Sequence, residues 1–122
     1  MAVTDYFYNR PNLWCTIYGV LGDTDNCIDV LFQKTQDKRV CKFLSAHGFQ
    51  VQELEFNRQI SITKDYKVTC IKDGFYDSGL LIESNGEKIL NLNDCEVTTS
   101  NRAEEVLAVT GKVDVLLTQF SF

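Results

Sequence analysis

The chain has 122 residues, of which 44% are hydrophobic and 11% aromatic. This length and composition predict a single domain over residues 1–122 with enough apolar side chains for a core. The formal net charge is −5. Phosphate backbones and anionic lipid surfaces attract clustered Lys and Arg. Because the net charge of this chain is negative, we expect neither a nucleic acid nor a membrane as a partner.

Targeting signals and cysteine spacing indicate the cellular compartment. No apolar run approaches the roughly 18 residues that a membrane-spanning helix needs, and the amino terminus lacks the basic and apolar segments of a secretory signal. The cysteines are an odd number without close pairs, whereas a disulfide framework favours an even count and zinc sites favour closely spaced cysteines. We therefore expect a cytoplasmic protein whose cysteines are small buried hydrophobes: Cys15, Cys27, Cys41, Cys70 and Cys95.

The first half of the chain reads as strands around one helix. Residues 13–20 and 27–33 are rich in β-branched and apolar side chains and predict two strands. Residues 37–47 place apolar side chains at helical spacing, with Asp37 as the expected N-cap and Gly48 at the C′ position. After this helix, residues 49–56 and 60–71 alternate imperfectly between apolar and polar and predict two or three half-buried strands.

The second half contains the most specific local signals. Residues 72–79, "KDGFYDSG", predict a loop. Asn85-Gly86 between two apolar runs predicts a hairpin with a type I′ turn, because both central residues of that turn need positive φ. Residues 113–120 form an apolar run that is typical of a strand covered on both faces.

A helix is predicted between that hairpin and the last strand. The candidate caps are Thr99, Ser100 and Asn101, acidic residues are expected in the first turn, and Gly111 closes the helix. Val106, Leu107 and Val109 are expected to face the core. Since strand, helix and strand follow one another, we expect a parallel pairing at this end of a mixed sheet with helices packed on it, which is an α/β or α+β fold.

The candidate chemistry is sparse. The sole histidine, His47, lies beside the glycine that ends its helix, and we interpret it as a packed or capping residue. Asp23, Asp25 and Asp29 lack the pattern of a calcium loop and are interpreted as a solvated turn. Asp94 follows the apolar strand of the hairpin in "NDC" and is either a metal ligand or a cap or turn former for the next helix.

Residues 77–122, with "LLIESNGEKILNLNDC" and "VDVLLTQFSF", resemble the metallo-β-lactamase fold. They are similar to the branch that contains UlaG-like hydrolases and proteins related to CMP-sialic acid hydroxylase, and the resemblance extends back to about residue 30. It implies an αββα sandwich with a zinc, iron or manganese site used for metal-dependent hydrolysis or a related oxidation. Asp94 matches the family's strand-end aspartate and is our one predicted metal ligand.

The resemblance also has clear departures. The family's HxHxDH motif is absent, and Phe75 or Tyr76 lies near the place of a further ligand histidine. Asp77 and Asp94 are fewer than the roughly three protein ligands of a catalytic metal. We therefore expect no catalytic residue and no cofactor in this chain alone.

Two origins fit these departures: a partial metallo-β-lactamase domain, or a reduced one that is inactive by itself. The alternative function is a non-catalytic binding or self-association module, with a homo-oligomer or the remainder of the fold as partner. A thiol protein using Cys95 has little support, because no basic residue or second cysteine is near it in the sequence.

Overall fold

The computed structural model describes residues 29–74 and 77–119. Several predictions fall outside these residues: the strand at 13–20, the cysteines at 15 and 27, the aspartates at 23 and 25, and the aromatic pair at 75 and 76. The strands in chain order are β1 (Asp29–Gln33), β2 (Gln50–Leu54), β3 (Gln59–Ser61), β4 (Tyr66–Asp73), β5 (Asp77–Ser84), β6 (Glu87–Asn91) and β7 (Val115–Leu117). The helices are α1 (Arg39–Ala46) and α2 (Ser100–Thr110).

The described residues form two compact units. One contains residues 29–32 and 37–52, with α1 and most of β1 and β2, and the other contains residues 33–36 and 53–119. Strands β1 and β2 form a two-stranded sheet, and β3 to β7 form a five-stranded sheet. The expectation of a single domain over the full chain stays a prediction.

Helix α1 shows how local sequence ends a helix. Gly48 adopts a φ of 87° and donates to the Ser45 carbonyl at 3.1 Å. Phe49 donates to the Leu44 carbonyl at 3.1 Å, which completes a Schellman motif. The predicted C′ glycine is therefore confirmed. The predicted N-cap is not, because the helix starts after Lys38, while the Asp37 carboxylate accepts from the Arg39 amide at 2.9 Å.

The five-stranded sheet has the strand order β3-β4-β5-β6-β7. The first three pairings are antiparallel, and β6 pairs with β7 in parallel. Asn85 and Gly86 between β5 and β6 have φ values of 52° and 86°, as the type I′ turn requires. The predicted hairpin and the predicted parallel pairing are both confirmed.

One face of this sheet packs against α2. Its buried cluster contains Ile71, Leu81, Leu90, Leu92 and Cys95 from the sheet and the following segment, together with Val106 from the helix. Val109 and Val113 are partly buried against it. Leu107 is one residue along the helix and is 59% exposed, so the prediction that it faces the core is wrong. Because successive helical residues are rotated by about 100°, the helix cannot bury Val106 and Leu107 equally.

The opposite face carries one apolar residue from every strand in a continuous row. The register pairs Ile60 with Val68, Val68 with Ile82, Ile82 with Ile89, and Ile89 with Val115, and directly paired residues share a face. We call these five residues the β-branched row. Exposure rises along it from 2% at Val68 to 37% at Ile89 and 45% at Val115.

Strand β7 corrects the prediction for residues 113–120. Its residues Val115, Leu116 and Leu117 are 45%, 54% and 47% exposed. The strand has three residues, and among the strands of residues 29–74 and 77–119 it lies at the end of the strand order, paired with β6. An apolar run predicts a strand but not its position in the sheet, and an edge strand has side chains with fewer neighbours.

The remaining elements agree with an α+β arrangement of mixed sheets with helices, as predicted. The predicted loop at 72–79 is shorter than expected, because β4 runs to Asp73 and β5 starts at Asp77. The predicted strands between 49 and 71 are present as β2, β3 and β4. Within residues 29–74 and 77–119, no helix is long and apolar enough to cross a membrane.

Candidate functional site

Three aspartates meet where the β4–β5 hairpin lies near the segment that follows β6. Asp73 is the last residue of β4, Asp77 is the first of β5, and the two are directly paired in the register. The negative charges of Asp94 and Asp73 both act on Asp77, which brings the third aspartate into the group. We call Asp73, Asp77 and Asp94 the acidic edge.

Asp94 lies in a tight turn after β6. The Cys95 amide donates to the Leu92 carbonyl at 2.8 Å, and Asn93 has a φ of 48°. Asn is one of the few residues that tolerate this left-handed conformation. Asp94 is exposed in this turn, so the structure agrees with its interpretation as a turn former.

Asp94 is not the N-cap of α2. The N-cap is Thr99, whose side-chain oxygen accepts from the Arg102 amide at 3.2 Å. The first turn of α2 contains no acidic residue, which contradicts the prediction for that turn. We call residues 92–99, between β6 and α2, the Asp94 loop.

Asp73 holds the Asp94 loop against the hairpin. One of its carboxylate oxygens accepts from the Glu96 amide at 3.1 Å, and the other is paired with the Arg102 guanidinium at 3.1 Å. The thiol of Cys95 also hydrogen-bonds to this carboxylate. Asp73 therefore contacts the two residues that follow Asp94 and the first turn of α2.

Arg102 connects three parts of the fold. Besides Asp73 it donates to the backbone carbonyl of Lys72, and its Nη1 pairs with Glu105 at 3.2 Å on the same helix. The side chains of Arg102 and Asp73 are 22% and 17% exposed, so this ion pair is better shielded from water than a surface pair. Its charge lies beside the acidic edge.

The electrostatics of the edge disfavour a further negative charge. Partial burial raises the pKa of Asp77, and the charges of Asp94 and Asp73 raise it further. Burial raises the pKa of the Cys95 thiol to about 12, with smaller contributions from the charges of Asp73 and Asp77, while Arg102 opposes the shift. Cys95 is therefore a protonated, buried thiol at neutral pH, which disfavours the thiol chemistry considered from the sequence.

The donor set of the edge does not fit a catalytic metal. Among residues 29–74 and 77–119, no group of three or more His, Cys, Asp and Glu side chains could hold a metal ion. Asp73 is engaged by Arg102 and by the Glu96 amide, and Cys95 keeps its proton. Asp77 and Asp94 remain, and two carboxylates are fewer than the roughly three protein ligands of a catalytic zinc site. We therefore derive no chemical step through a metal.

The other residues considered from the sequence lie elsewhere. His47 is exposed, and its Nδ1 lies 2.7 Å from the Phe43 carbonyl in the last turn of α1. The centroids of the Phe43 and His47 rings are 4.1 Å apart. This agrees with its interpretation as a capping residue. Asp29 is the exposed first residue of β1, where it forms part of a strand rather than a turn. Cys41 is half-buried and Cys70 buried, both as free thiols.

Sequence patterns alone did not identify Asp73 and Arg102 as residues of the candidate site. The signal for Asp73 was present, since "KDGFYDSG" places two aspartates symmetrically about a glycine-containing turn. Arg102 gave no such signal, because an arginine in the first turn of a helix is usually solvated. Only the packing of α2 on the sheet brings its guanidinium to the end of β4.

No family profile and no curated protein sequence matches the chain. Solved structures do show a likeness. A mutant of the CmlA β-hydroxylase matches 70% of this chain and 19% of its own, with a TM-score of 0.60 and 19% identity. Zn²⁺-bound PqqB from Methylobacterium extorquens matches 78% of this chain and 34% of its own, with a TM-score of 0.55 and 17% identity.

Both neighbours are metallo-β-lactamase-fold proteins, so the comparisons support that fold for the chain. The mixed sheets with two helices resemble part of the metallo-β-lactamase sandwich, as the sequence predicted. The chain spans about a fifth of one neighbour and a third of the other. At these identities the likeness concerns the fold alone.

Proposed function

We propose that the chain is a partial or reduced metallo-β-lactamase-fold domain without metal-dependent hydrolytic activity by itself. The observation that supports this is the donor set of the acidic edge, in which one carboxylate is bound by an arginine and the neighbouring thiol is protonated. A hydrolytic metal would lower the pKa of a bound water, but two remaining carboxylates are too few to hold it in place.

Asp94 has a role in this proposal that depends on further polypeptide. As an exposed carboxylate at the end of a strand, it can contribute one hard oxygen ligand to zinc, iron or manganese when other chain segments supply the remaining ligands. The UlaG-like and CMP-sialic acid hydroxylase-like branch of the fold, which the sequence resembles, is the setting that we infer for such a site.

The test is metal analysis of the 122-residue chain, combined with hydrolysis assays on β-lactam, thioester and phosphodiester substrates. We expect far less than one equivalent of zinc, iron or manganese after gel filtration, and hydrolysis no faster than in buffer. The matched variant is Asp94→Asn, which should behave like the wild type. One equivalent of metal that is lost in Asp94→Asn, with activity that a chelator removes, would contradict the proposal.

A second candidate is a non-catalytic module that self-associates. The β-branched row favours it, because Ile82, Ile89 and Val115 form an uncharged and increasingly exposed strip. Two copies of a chain with a net charge of −5 can meet there without opposing like charges. Apolar contact area of this kind is typical of the centre of an interface.

Light scattering at several protein concentrations tests this candidate. We expect a dimer that dissociates on dilution and is weakened by Val115→Lys. The control is Leu107→Lys, which adds the same charge at an exposed leucine on α2. A monomer at all concentrations, or an equal effect of both substitutions, would exclude self-association through the row.

A further inference from the structure

The Asp94 loop is joined to the rest of its unit by the packing of Leu92 and Cys95 in the core, by the Leu92 amide, which donates to the Leu117 carbonyl, and by polar contacts on Asp73. Asp73 accepts from the Glu96 amide at 3.1 Å and from the Cys95 thiol. The loop ends at Thr99, the N-cap of α2, and Arg102 in the first turn of that helix returns to Asp73 at 3.1 Å. These contacts therefore connect Asp73 to the loop, and the start of α2, which follows the loop, is connected back to Asp73 through Arg102.

The negative charges of the acidic edge explain why this set of contacts needs a cation. Asp94 and Asp73 both lie close enough to Asp77 for their charges to act on it, and the repulsion between Asp94 and Asp77 opposes closure of the loop. Arg102 is the positive group that faces Asp73 here, and it is also anchored by the Lys72 carbonyl. Hydrogen bonds between ionised partners that are mostly shielded from water are the stronger class of such contacts.

We propose that Asp73 and Arg102 form a latch that holds the Asp94 loop closed on the end of the β4–β5 hairpin, and that the loop opens as a local unit when the latch is broken. This goes beyond the proposed function and does not depend on it, since the latch uses only groups of the chain. It makes Asp73 and Arg102 positioning residues for Asp94.

Two buried cysteines provide a readout of local opening. Cys95 is 7% exposed inside the loop, and Cys70 is 3% exposed in the middle of β4. Opening of the loop exposes Cys95 alone, whereas global unfolding exposes both thiols. The ratio of their modification rates therefore separates a local event from a loss of overall stability.

The experiment measures alkylation of the native protein by iodoacetamide, with each modified cysteine identified by mass spectrometry. We expect Arg102→Met to raise the ratio of Cys95 to Cys70 modification by about tenfold, as loss of a charged hydrogen bond predicts. Arg102→Lys keeps the charge and should give an intermediate ratio. Glu83→Gln removes an ion pair with Lys88, 3.3 Å away across the β5–β6 pair, and should leave the ratio unchanged.

Two results would overturn the proposal. If Arg102→Met accelerates both cysteines by the same factor, the ion pair supports the whole unit and is not a latch. If the ratio stays at the wild-type value, the loop is held by other contacts. Asp73→Asn gives an independent check, because it removes the charge from the other side of the pair and should raise the ratio as Arg102→Met does.

Discussion

At the level of single residues, the chemistry of the acidic edge depends on which carboxylate has a cationic partner. Asp73 is paired with Arg102, whereas the pKa of Asp77 is raised by partial burial and by the charges of Asp94 and Asp73. Three aspartates within one small region therefore differ in their environments. Position in the sequence does not reveal this difference, because the partner of Asp73 comes from a helix 29 residues further along the chain.

Substitution of Asp77 should stabilise the protein at neutral pH. A raised pKa means that the folded chain holds the proton of Asp77 more tightly than the unfolded chain, so its favourable contribution is present at low pH and is lost as pH rises. Asp77→Asn removes the free-energy cost of holding this carboxyl ionised in the folded chain at neutral pH. Because Asp77 remains largely open to solvent, which screens its charge, we expect only a small rise in the free energy of unfolding in urea at pH 7 and little change at pH 3.

The control for this prediction is Asp65→Asn, at an exposed aspartate between β3 and β4. It should change the free energy of unfolding by the same small amount at both pH values. If Asp77→Asn is less stable than the wild type at pH 7, the repulsion within the acidic edge does not limit stability.

Cys95 should make the protein sensitive to alkaline pH. Its pKa rises from 9.0 to about 12 on folding, chiefly through burial. Between those values the unfolded chain releases a proton that the folded chain keeps, so the free energy of unfolding falls as pH rises. Urea unfolding from pH 8 to pH 11 should show a steeper fall for the wild type than for Cys95→Ala. Parallel curves for the two proteins would mean that the thiol ionises equally in both states.

At the level of secondary structure elements, the turns and caps explain where each element ends. Gly48 closes α1, and Asn85 with Gly86 closes the β5–β6 hairpin, each through a positive φ. The start of α2 depends on Thr99 rather than on the acidic residue at the end of the strand. These contacts are local in sequence, and most were therefore predictable.

Thr99→Ala should destabilise the protein through α2. Loss of the hydroxyl leaves the Arg102 amide without its cap, and such caps are worth about 1 kcal/mol. Thr99→Ser keeps the acceptor and should cost much less. Thr98→Ala, at the exposed neighbouring threonine, serves as the matched control. Chemical denaturation measures all three, and an equal loss for Thr98→Ala would show that the cap is not the cause.

At the level of the whole molecule, the five-stranded sheet has apolar residues on both faces, and within its own unit the described helix α2 packs on one of them. α2 covers the face of Leu81 and Leu90, while the β-branched row on the other face is buried at Val68 and exposed at Val115. The parallel pairing of β6 with β7 is accompanied by two bonds between Lys88 and Asp114: the Lys88 amide donates to the Asp114 carboxylate at 2.8 Å, and the Asp114 amide donates to the Lys88 carbonyl at 2.9 Å. Within the described residues, β7 is thus hydrogen-bonded to β6 while its apolar side chains stay accessible.

The same truncation at a buried and at an exposed position of the β-branched row should have unequal effects. Val68→Ala removes two methyl groups from a fully buried position and should cost about 2 kcal/mol of unfolding free energy. Val115→Ala makes the same change at 45% exposure and should cost about 0.5 kcal/mol or less. Urea denaturation at low protein concentration measures both. Similar losses would indicate that Val115 is covered in solution.

The fold was largely predictable because its signals are local. Imperfect alternation predicted β2 to β4, helical spacing predicted α1, caps predicted α2, and Asn-Gly between two apolar runs predicted the β5–β6 hairpin, since each pattern depends on residues close together in the chain. The resemblance to the metallo-β-lactamase fold is supported by the solved structures. Thr99 was among the predicted caps of α2, whereas the N-cap position of α1 is Lys38, one residue after its predicted cap Asp37.

Local sequence patterns specify most of the described elements, their order and the position of Asp94 after an apolar strand. The exposed turn around Asp94, the pairing of Arg102 with Asp73, and the place of β7 at the end of the described strand order all depend on tertiary contacts. Charge pairing and burial are set by distances between residues far apart in the chain. Those distances exist only after α2 has packed on the sheet.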